Sequence, residues 1–313
     1  MSLPKKICST LAFRKVAIVG VGLIGGSFAL ALKKAGVVRE VVGVGRSPES
    51  LARAQKLGVI DRVAESLHDA VEGADLVMIA APVAQTGDIL ARLSPLLGID
   101  TIVTDAGSTK QDAVLAARQA LAGKIAQFVP GHPIAGSELN GPEAAQVDLY
   151  IGKKVILTPL LENNSHAVDR VTQAWQACGA LVHVLTPELH DRIFAMVSHL
   201  PHLLAFALVD QVKRSENADR LFQYAASGFR DFTRIAGSSP EMWRDIALAN
   251  RDALLLELDR YGDQVERLQS LLSTHDGAGL ESLFSNAQRA RLEWLGSTEP
   301  AVPEACVLPS TPD

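Results

Sequence analysis

The 313-residue sequence predicts an α/β protein in which a doubly wound, mainly parallel sheet is followed by an all-helical region. Three observations carry that expectation. From Lys15 to Val184 short β-branched runs alternate with helical stretches, the pattern of a parallel sheet covered on both faces. The alternation stops after Thr186, and only helical periodicity follows. Between the first strand and the first helix lies a cluster of glycines, which marks a chain that must turn tightly.

The strand candidates, in order, are "KVAIVG", "EVVGVG", "DLVMIAAPV", "TIVTDAGS", "AQFVPGH", "KKVILTP" and "LVHVLTP". Beyond them, "PELHDRIFAMVSHLPHLLAFALVDQV", a middle segment over Leu221 to Ile235, and a long stretch from Pro240 to Leu272 read as helices. Ser239 is placed to cap the last of these, Pro240 suits its first turn, and Ser238 with Glu241 fits a capping box. Leu254, Leu258, Tyr261, Val265, Leu268 and Leu272 then recur at spacings of four and three, the seam of a helix that packs along another helix. An internal bundle and a homodimer interface both satisfy that seam. Asp276-Gly277 reads as a turn, and one more amphipathic helix ends near Leu295. The expected division is an N-terminal extension over 1–14, a first domain over 15–185, a helical domain over 186–295 and a disordered tail over 296–313.

Composition narrows the function classes. Hydrophobic residues at 48% and charged residues at 21% belong to a chain with real cores rather than a disordered one. The net charge of -5 gives no basic excess of the kind that nucleic-acid or acidic-membrane binding calls for. Cys8, Cys178 and Cys306 are scattered, without a C-x-x-C pair, and suit a reducing compartment. Val16 to Leu32 is an uncharged run behind Lys5, Lys6, Arg14 and Lys15, superficially a secretory core. Gly20, Gly22, Gly25 and Gly26 interrupt it too densely for that, so a cytoplasmic location is expected.

The same glycines point to a ligand. Gly20, Gly22 and Gly25 form G-x-G-x-x-G, with Leu23 and Ile24 between them, directly after one strand and before one helix. Such a turn brings backbone and helix N-terminal amides close to a pyrophosphate, which makes the sheet Rossmann-like and the first domain dinucleotide-binding. Ala80, Ala81 and Pro82, at the end of "DLVMIAAPV", should border the same cofactor. About twenty residues beyond the last glycine, where an NAD site places a carboxylate, this chain has Gly45 followed by Arg46 and Ser47. A guanidinium and a hydroxyl suit a 2′-phosphate, so the loop favours NADP over NAD. Alternatively Arg46 stacks on adenine and both dinucleotides bind.

Ligands of open α/β sheets sit beyond the carboxyl ends of the strands. Ser108 follows "TIVTDAG" and His132 follows "AQFVPG", so both should face one crevice beside the nicotinamide. Pro133 biases His132 toward extended backbone and Gly131 leaves room beside it. An imidazole there can take a proton from an alcohol as hydride leaves the same carbon; the plainer role is a hydrogen bond within its own loop. "VSHLPH" places His199 and His202 on one face of a helix that Pro201 should kink. No histidine or carboxylate spacing favours a metal, and His183 and His190 read as structural. Arg230 and Arg234, four apart, would share a helical face with only Asp231 to offset them, unless an anionic substrate lies between. A solvated charged turn is the alternative.

Together "VGLIGGS", "TDAGSTK", "GHPIAGSE", "SHLPH" and "GFRDFTRIA" resemble, in order and spacing from Lys15 to Leu295, the motifs of prephenate and arogenate (cyclohexadienyl) dehydrogenases. That resemblance implies a nucleotide domain, a helical dimerisation domain, a homodimer, and oxidative decarboxylation of a cyclohexadienyl substrate in tyrosine biosynthesis. It implies that His132 is the catalytic histidine at the C4 hydroxyl, that Ser108 orients it, and that His199 is a second active-site histidine. Arg234 would hold a substrate carboxylate, with Arg230, Asp231, Glu138 and Trp243 in support. The family often has an acidic residue where this chain has Gly45. The few residues before the first strand leave no expected room for a fused mutase, nor the tail for a regulatory domain. A β-hydroxyacid-type dehydrogenase shares the architecture but resembles a family with a lysine base, for which no motif is found here. A non-catalytic NADP-sensing protein would need the glycine turn but not His132, Ser108 and Arg234 together.

Overall fold

The computed structural model describes residues 12–136 and 139–298, and the chain divides into two compact units, Met1–Glu257 and Leu258–Asp313. In the first unit, β1 (Phe13–Val19), α1 (Leu23–Ala35), β2 (Val38–Val44), α2 (Pro48–Lys56), β3 (Arg62–Val63), α3 (Leu67–Val71), β4 (Leu76–Ile79), α4 (Thr86–Leu93), β5 (Ile102–Asp105), α5 (Gln111–Leu121) and β6 (Phe128–Val129) build one sheet. Its six strands are ordered β3-β2-β1-β4-β5-β6 and all pair in parallel. The order reverses direction between β1 and β4, which opens a crevice at their carboxyl ends.

Alternation along each strand explains the two covered faces. Val16 and Ile18, with Leu76 and Met78, join Phe28 and Leu32 of α1 in one core. Ala17 and Val19, with Val77 and Ile79, join Leu90 and Leu93 of α4 and Leu121 of α5 in the other. A period of two, apolar at every position, is what a strand buried on both sides requires.

The glycine turn is built by close approach. Gly20 has φ +97°, and a side chain there would place Cβ 2.5 Å from the Ala80 carbonyl oxygen. At Gly25 a Cβ would run into the Gly20 carbonyl and approach Ile18 Cγ2 to 2.8 Å, so the third glycine seats α1 on β1 and β4.

The expected single strand over "AQFVPGH" is two strands. Pro130 has no N–H to continue the parallel ladder; its carbonyl instead accepts from the Thr158 amide at 2.9 Å. The chain leaves the first sheet there, and β7 (Gly131–Pro133) pairs antiparallel with β8 (Lys154–Leu157). After α6 (Ser165–Ala177), β9 (Leu181–Val184) pairs in parallel with β8, giving a second sheet of three strands. His132 therefore stands opposite Ile156 in a strand, not in a loop past β6.

The helical region begins with α7 (Pro187–Phe194), passes through a π turn over Ala195–His199 and continues as α8 (Leu200–Arg214). The kink expected at Pro201 takes the form of that π turn, directly upstream of the missing N–H. Pro187–Arg214 is long and apolar enough to cross a membrane by length and composition alone. Its buried side chains include His190, Asp191 and His199, whose partners are all protein groups. There follow α9 (Ala218–Gln223), α10 (Ser227–Thr233), α11 (Pro240–Ala249) and α12 (Arg251–Ser273). Ser239 caps α11 through the Met242 amide, as its sequence signals require. The single long helix expected over Pro240 to Leu272 is broken at Asn250, whose φ of -107° and ψ of 30° lie outside the helix and whose side chain is buried.

In the second unit, the remainder of α12 turns at His275, which has φ 52°, and Asp276 Oδ1 accepts the Gly279 amide at 2.9 Å to start α13 (Gly277–Thr298). That helix runs past Leu295 to Thr298; the rest of the expected tail lies outside the described residues. Tyr261, Val265 and Leu272 of the predicted seam are exposed in the single chain, as are Phe284, Leu292 and Trp294.

Candidate active site

Two adjoining cavities occupy the crevice at the carboxyl ends of β1, β4 and β5. One, of 820 Å³, is lined by Gly20, Gly22, Arg46, Ser47, Ala80, Ala81 and Pro82. The other, of 410 Å³, is lined by Leu23, Ile24, Ser108 and His132, with Ser238, Ser239, Glu241, Met242 and Ile246 from the helical region. They share Gly22, Ala80, Ala81, Pro82 and Gly141. Nothing stands within 4 Å of where a Gly22 side chain would project, so backbone meets open space there. Open backbone at that junction suits a pyrophosphate. Gly25 lines neither cavity and acts through the packing described above.

The expected pairing of Ser108 and His132 in one cavity is what the structure shows. His132 is not isolated. Its Nδ1 lies 2.9 Å from His190 Nε2, and His190 Nδ1 lies 2.7 Å from Asp191 Oδ1. His190, read from sequence as structural, is thus part of the site, buried against Phe194 with ring centroids 4.5 Å apart. The sequence offered one signal for it: a His-Asp pair between Leu189 and Phe194, at the start of a largely apolar helical run, which burial forces to find partners. Asp191 also accepts the amides of Lys110 at 2.8 Å and Gln111 at 2.8 Å, where α5 begins.

Charge follows from this geometry. Burial drives the His132 imidazole well below its ordinary range, and the Lys110 charge, with any proton taken up by His190 or His199, pushes the same way, so it is neutral at pH 7. Burial alone would raise the Asp191 carboxyl, but the hydrogen bonds from His190, Gln111 and Lys110 hold it below the usual carboxylate range. Next to the Ser108 loop and the His132 strand lies a buried ion pair. Lys110 Nζ is 2.5 Å from Asp105 Oδ2 and donates to the Gly131 carbonyl at 2.9 Å, while Asp105 accepts the Gly107 amide at 2.9 Å and the Gly131 amide at 3.0 Å. This clamp ties the Ser108 loop to the strand that carries His132 and was not anticipated from sequence.

The second histidine is reached from the same hub. Asn250 Nδ2 donates to the Asp191 carbonyl at 2.8 Å and to His199 Nδ1 at 3.0 Å, which leaves the His199 proton on Nε2. Burial lowers His199 to about 4. His199 Nε2 and Trp243 Nε1 are buried without a hydrogen-bond partner among the described residues. His202 stacks on Trp243 at 3.6 Å, and Arg234 is near enough to disfavour its protonation, after burial. Contacts therefore run from His132 through His190, Asp191, Asn250 and His199 to Trp243 and His202, and Arg234 acts on that end through its charge. Neither Arg234 nor Arg230 lines the cavity, and neither has a carboxylate at ion-pair distance among the described residues. They do not lie in one α-helix, since α10 ends at Thr233 and Arg234 opens a 3₁₀ turn. Asp231 is exposed, and Glu138 lies outside the described residues.

Comparison with known proteins finds matches to both parts of the chain. Residues 28–184 match the family model of the prephenate dehydrogenase nucleotide-binding domain, and 186–286 that of its dimerization domain. A cyclohexadienyl dehydrogenase of Zymomonas mobilis is 36% identical over 90% of this chain and 96% of its own length. A prephenate dehydrogenase of Bacillus subtilis is 40% identical over 88% of this chain and 75% of its own. The crystal structure of prephenate dehydrogenase from A. aeolicus in complex with hydroxyphenyl propionate and NAD+ superposes with a TM-score of 0.85 at 38% identity, covering 92% of this chain and 99% of that one.

Proposed function

The chain belongs to the prephenate dehydrogenase family, and we propose that it oxidatively decarboxylates prephenate, arogenate or both in tyrosine biosynthesis. The observation that carries this reading is a neutral His132 lining the same cavity as Ser108, at the end of a cleft shaped for a dinucleotide.

His132 takes the proton of the substrate's C4 hydroxyl through its free ring nitrogen, and Ser108 orients that hydroxyl. When bound, the nicotinamide supplies the acceptor for the hydride that leaves C4. The bond from the ring to its carboxylate then breaks, its electron pair enters the ring, carbon dioxide departs, and His132 returns its proton to the phenolate oxygen. Aromatisation drives the sequence, so the residues chiefly position groups and balance charge. Arg234 is the proposed anchor for a substrate carboxylate, with Arg230, Asp231, Glu138 and Trp243 supporting it. The buried, unpartnered donors of His199 and Trp243 favour an anion at this end. Replacing Arg234 with Ala raises substrate KM by about 10-fold to 100-fold, the value of a charged hydrogen-bonded contact; an unchanged KM removes the anchor.

For the dinucleotide, the sequence alone favours NADP, but the loop geometry moves the proposal to NAD. Ser47 Oγ accepts the Ser50 amide at 3.1 Å and donates to Glu49 Oε2 at 2.9 Å, so its proton is committed and a carboxylate stands beside it. That carboxylate repels a 2′-phosphate, while the exposed Arg46 leaves some acceptance of NADP. The A. aeolicus relative holds NAD+. A cytoplasmic homodimer through the helical region completes the reading, supported by the dimerization-domain match and the exposed apolar residues of the Leu258–Asp313 unit.

Steady-state kinetics with prephenate and arogenate, each with NAD and NADP, test the whole. The expected result is turnover of at least one substrate, with kcat/KM for NAD about tenfold or more above NADP. No turnover in any of the four combinations, with activity on a β-hydroxyacid instead, overturns it.

A further inference from the structure

We propose that Asp191 is the positioning residue of this site: through His190 it holds His132 in the tautomer whose Nε2 accepts the proton, and through two backbone amides it sets the Ser108 loop beside that nitrogen. The inference rests on the activity proposed above.

The direction of the hydrogen-bond chain is forced by its far end. Asp191 accepts the amides of Lys110 and Gln111, so its carboxylate is an acceptor and the His190 Nδ1 that meets Oδ1 at 2.7 Å must donate. A neutral His190 then carries no proton on Nε2. The 2.9 Å contact to His132 is left with one solution, in which His132 Nδ1–H donates and His132 Nε2 keeps a lone pair. A base needs that lone pair; the opposite tautomer would present an N–H to the substrate hydroxyl and could accept nothing. When His132 gains the proton, the buried carboxylate at the end of the chain offsets the new charge without itself being protonated.

The second half of the role is spatial. Asp191 lies on α7 and reaches the start of α5, two and three residues beyond Ser108, at Lys110 N and Gln111 N. One side chain thereby fixes the serine loop and the histidine strand relative to each other, although neither element adjoins it in sequence. The charged and titratable groups that act on His132 are His190 from α7, Lys110 from the β5–α5 connection and His199 from the π turn, and those that act on His190 are Asp191 beside it, Lys110, and Asp105 at the end of β5.

The test uses ¹⁵N-labelled histidine in the full-length protein with NAD bound, comparing wild type with Asp191→Asn, His190→Phe and His190→Gln. The His132 ring is expected to show a protonated Nδ1 and an unprotonated Nε2 in wild type. His190→Phe releases that preference and lowers kcat by about 10²-fold or more, with NAD affinity and substrate KM near wild type. His190→Gln can accept from His132 through Oε1 and donate to Asp191 through its amide, so it restores the tautomer and returns kcat to within about tenfold of wild type. In Asp191→Asn the amide either sets a donor against His190, which loses the tautomer, or keeps that bond and loses the Gln111 amide, which frees the Ser108 loop; kcat falls in both cases. A His132 that keeps its Nδ1 proton and its kcat in His190→Phe, or a Gln variant as impaired as the Phe variant, overturns the relay. Absence of turnover in wild type would defeat the activity reading instead, and the ring-nitrogen signals would still report on the relay.

Discussion

His132→Asn is expected to lower kcat by about 10²–10⁴-fold, the usual worth of a positioned general base, with dinucleotide affinity at its wild-type value. Asn fits the strand position opposite Ile156 and fills less of the cavity, so the fold and the glycine turn are untouched. What it lacks is a titratable nitrogen. The wild-type pH profile checks the same point from another side. Burial, His190, Lys110 and His199 all lower the His132 pKa, so the unprotonated base persists below the ordinary imidazole range. The acid limb of kcat/KM should therefore fall only as pH drops through that lowered value, with activity on the high-pH side. An acid limb centred at an ordinary imidazole pKa, or unchanged turnover in His132→Asn, removes His132 from the mechanism.

The parts of this molecule legible in sequence are those set by local rules. Strand periodicity marks the parallel sheet, and strict close packing marks Gly20 and Gly25, because a Cβ at either meets backbone whatever the rest of the chain does. Ser108 and His132 were legible because strand ends in such a sheet face one crevice. His190 was not, since its partner His132 is 58 residues away and the two meet only once Pro130 has diverted the chain into the second sheet. Asn250 was hidden for a related reason: cap signals at Ser239 and Pro240 before it and the seam from Leu254 after it read as one helix, while the partners of its side chain, Asp191 and His199, lie far away in sequence. The NADP expectation weighed Arg46 and Ser47 by type. The capping bond and the Glu49 contact that commit Ser47 are properties of the folded turn.

Lys110→Met is expected to cost about 3–5 kcal/mol of stability, read as a lower urea midpoint, because it strands a charge rather than deleting a pair. Lys110 and Asp105 are both almost wholly inaccessible, at 0% and 1% exposure, so no water can take the lysine's place beside the carboxylate. The Gly131 carbonyl loses its donor at the same time. Pairing the substitution with Asp105→Asn should recover part of the loss: the amide carries no charge, though it can accept only one of the two glycine amides that Asp105 now accepts. If the single variant is as stable as wild type, the pair is not the clamp described. The kinetic signature has a definite sign as well. The Lys110 charge is one of the influences that lower His132, so its removal lets the imidazole protonate more readily and moves the acid limb of kcat/KM to higher pH. A limb that stays in place while stability falls would confine Lys110 to holding the two strands together. A limb that moves ties the same buried lysine to the protonation of the base, and so joins the stability of the β5–β7 junction to the pH range in which the enzyme works.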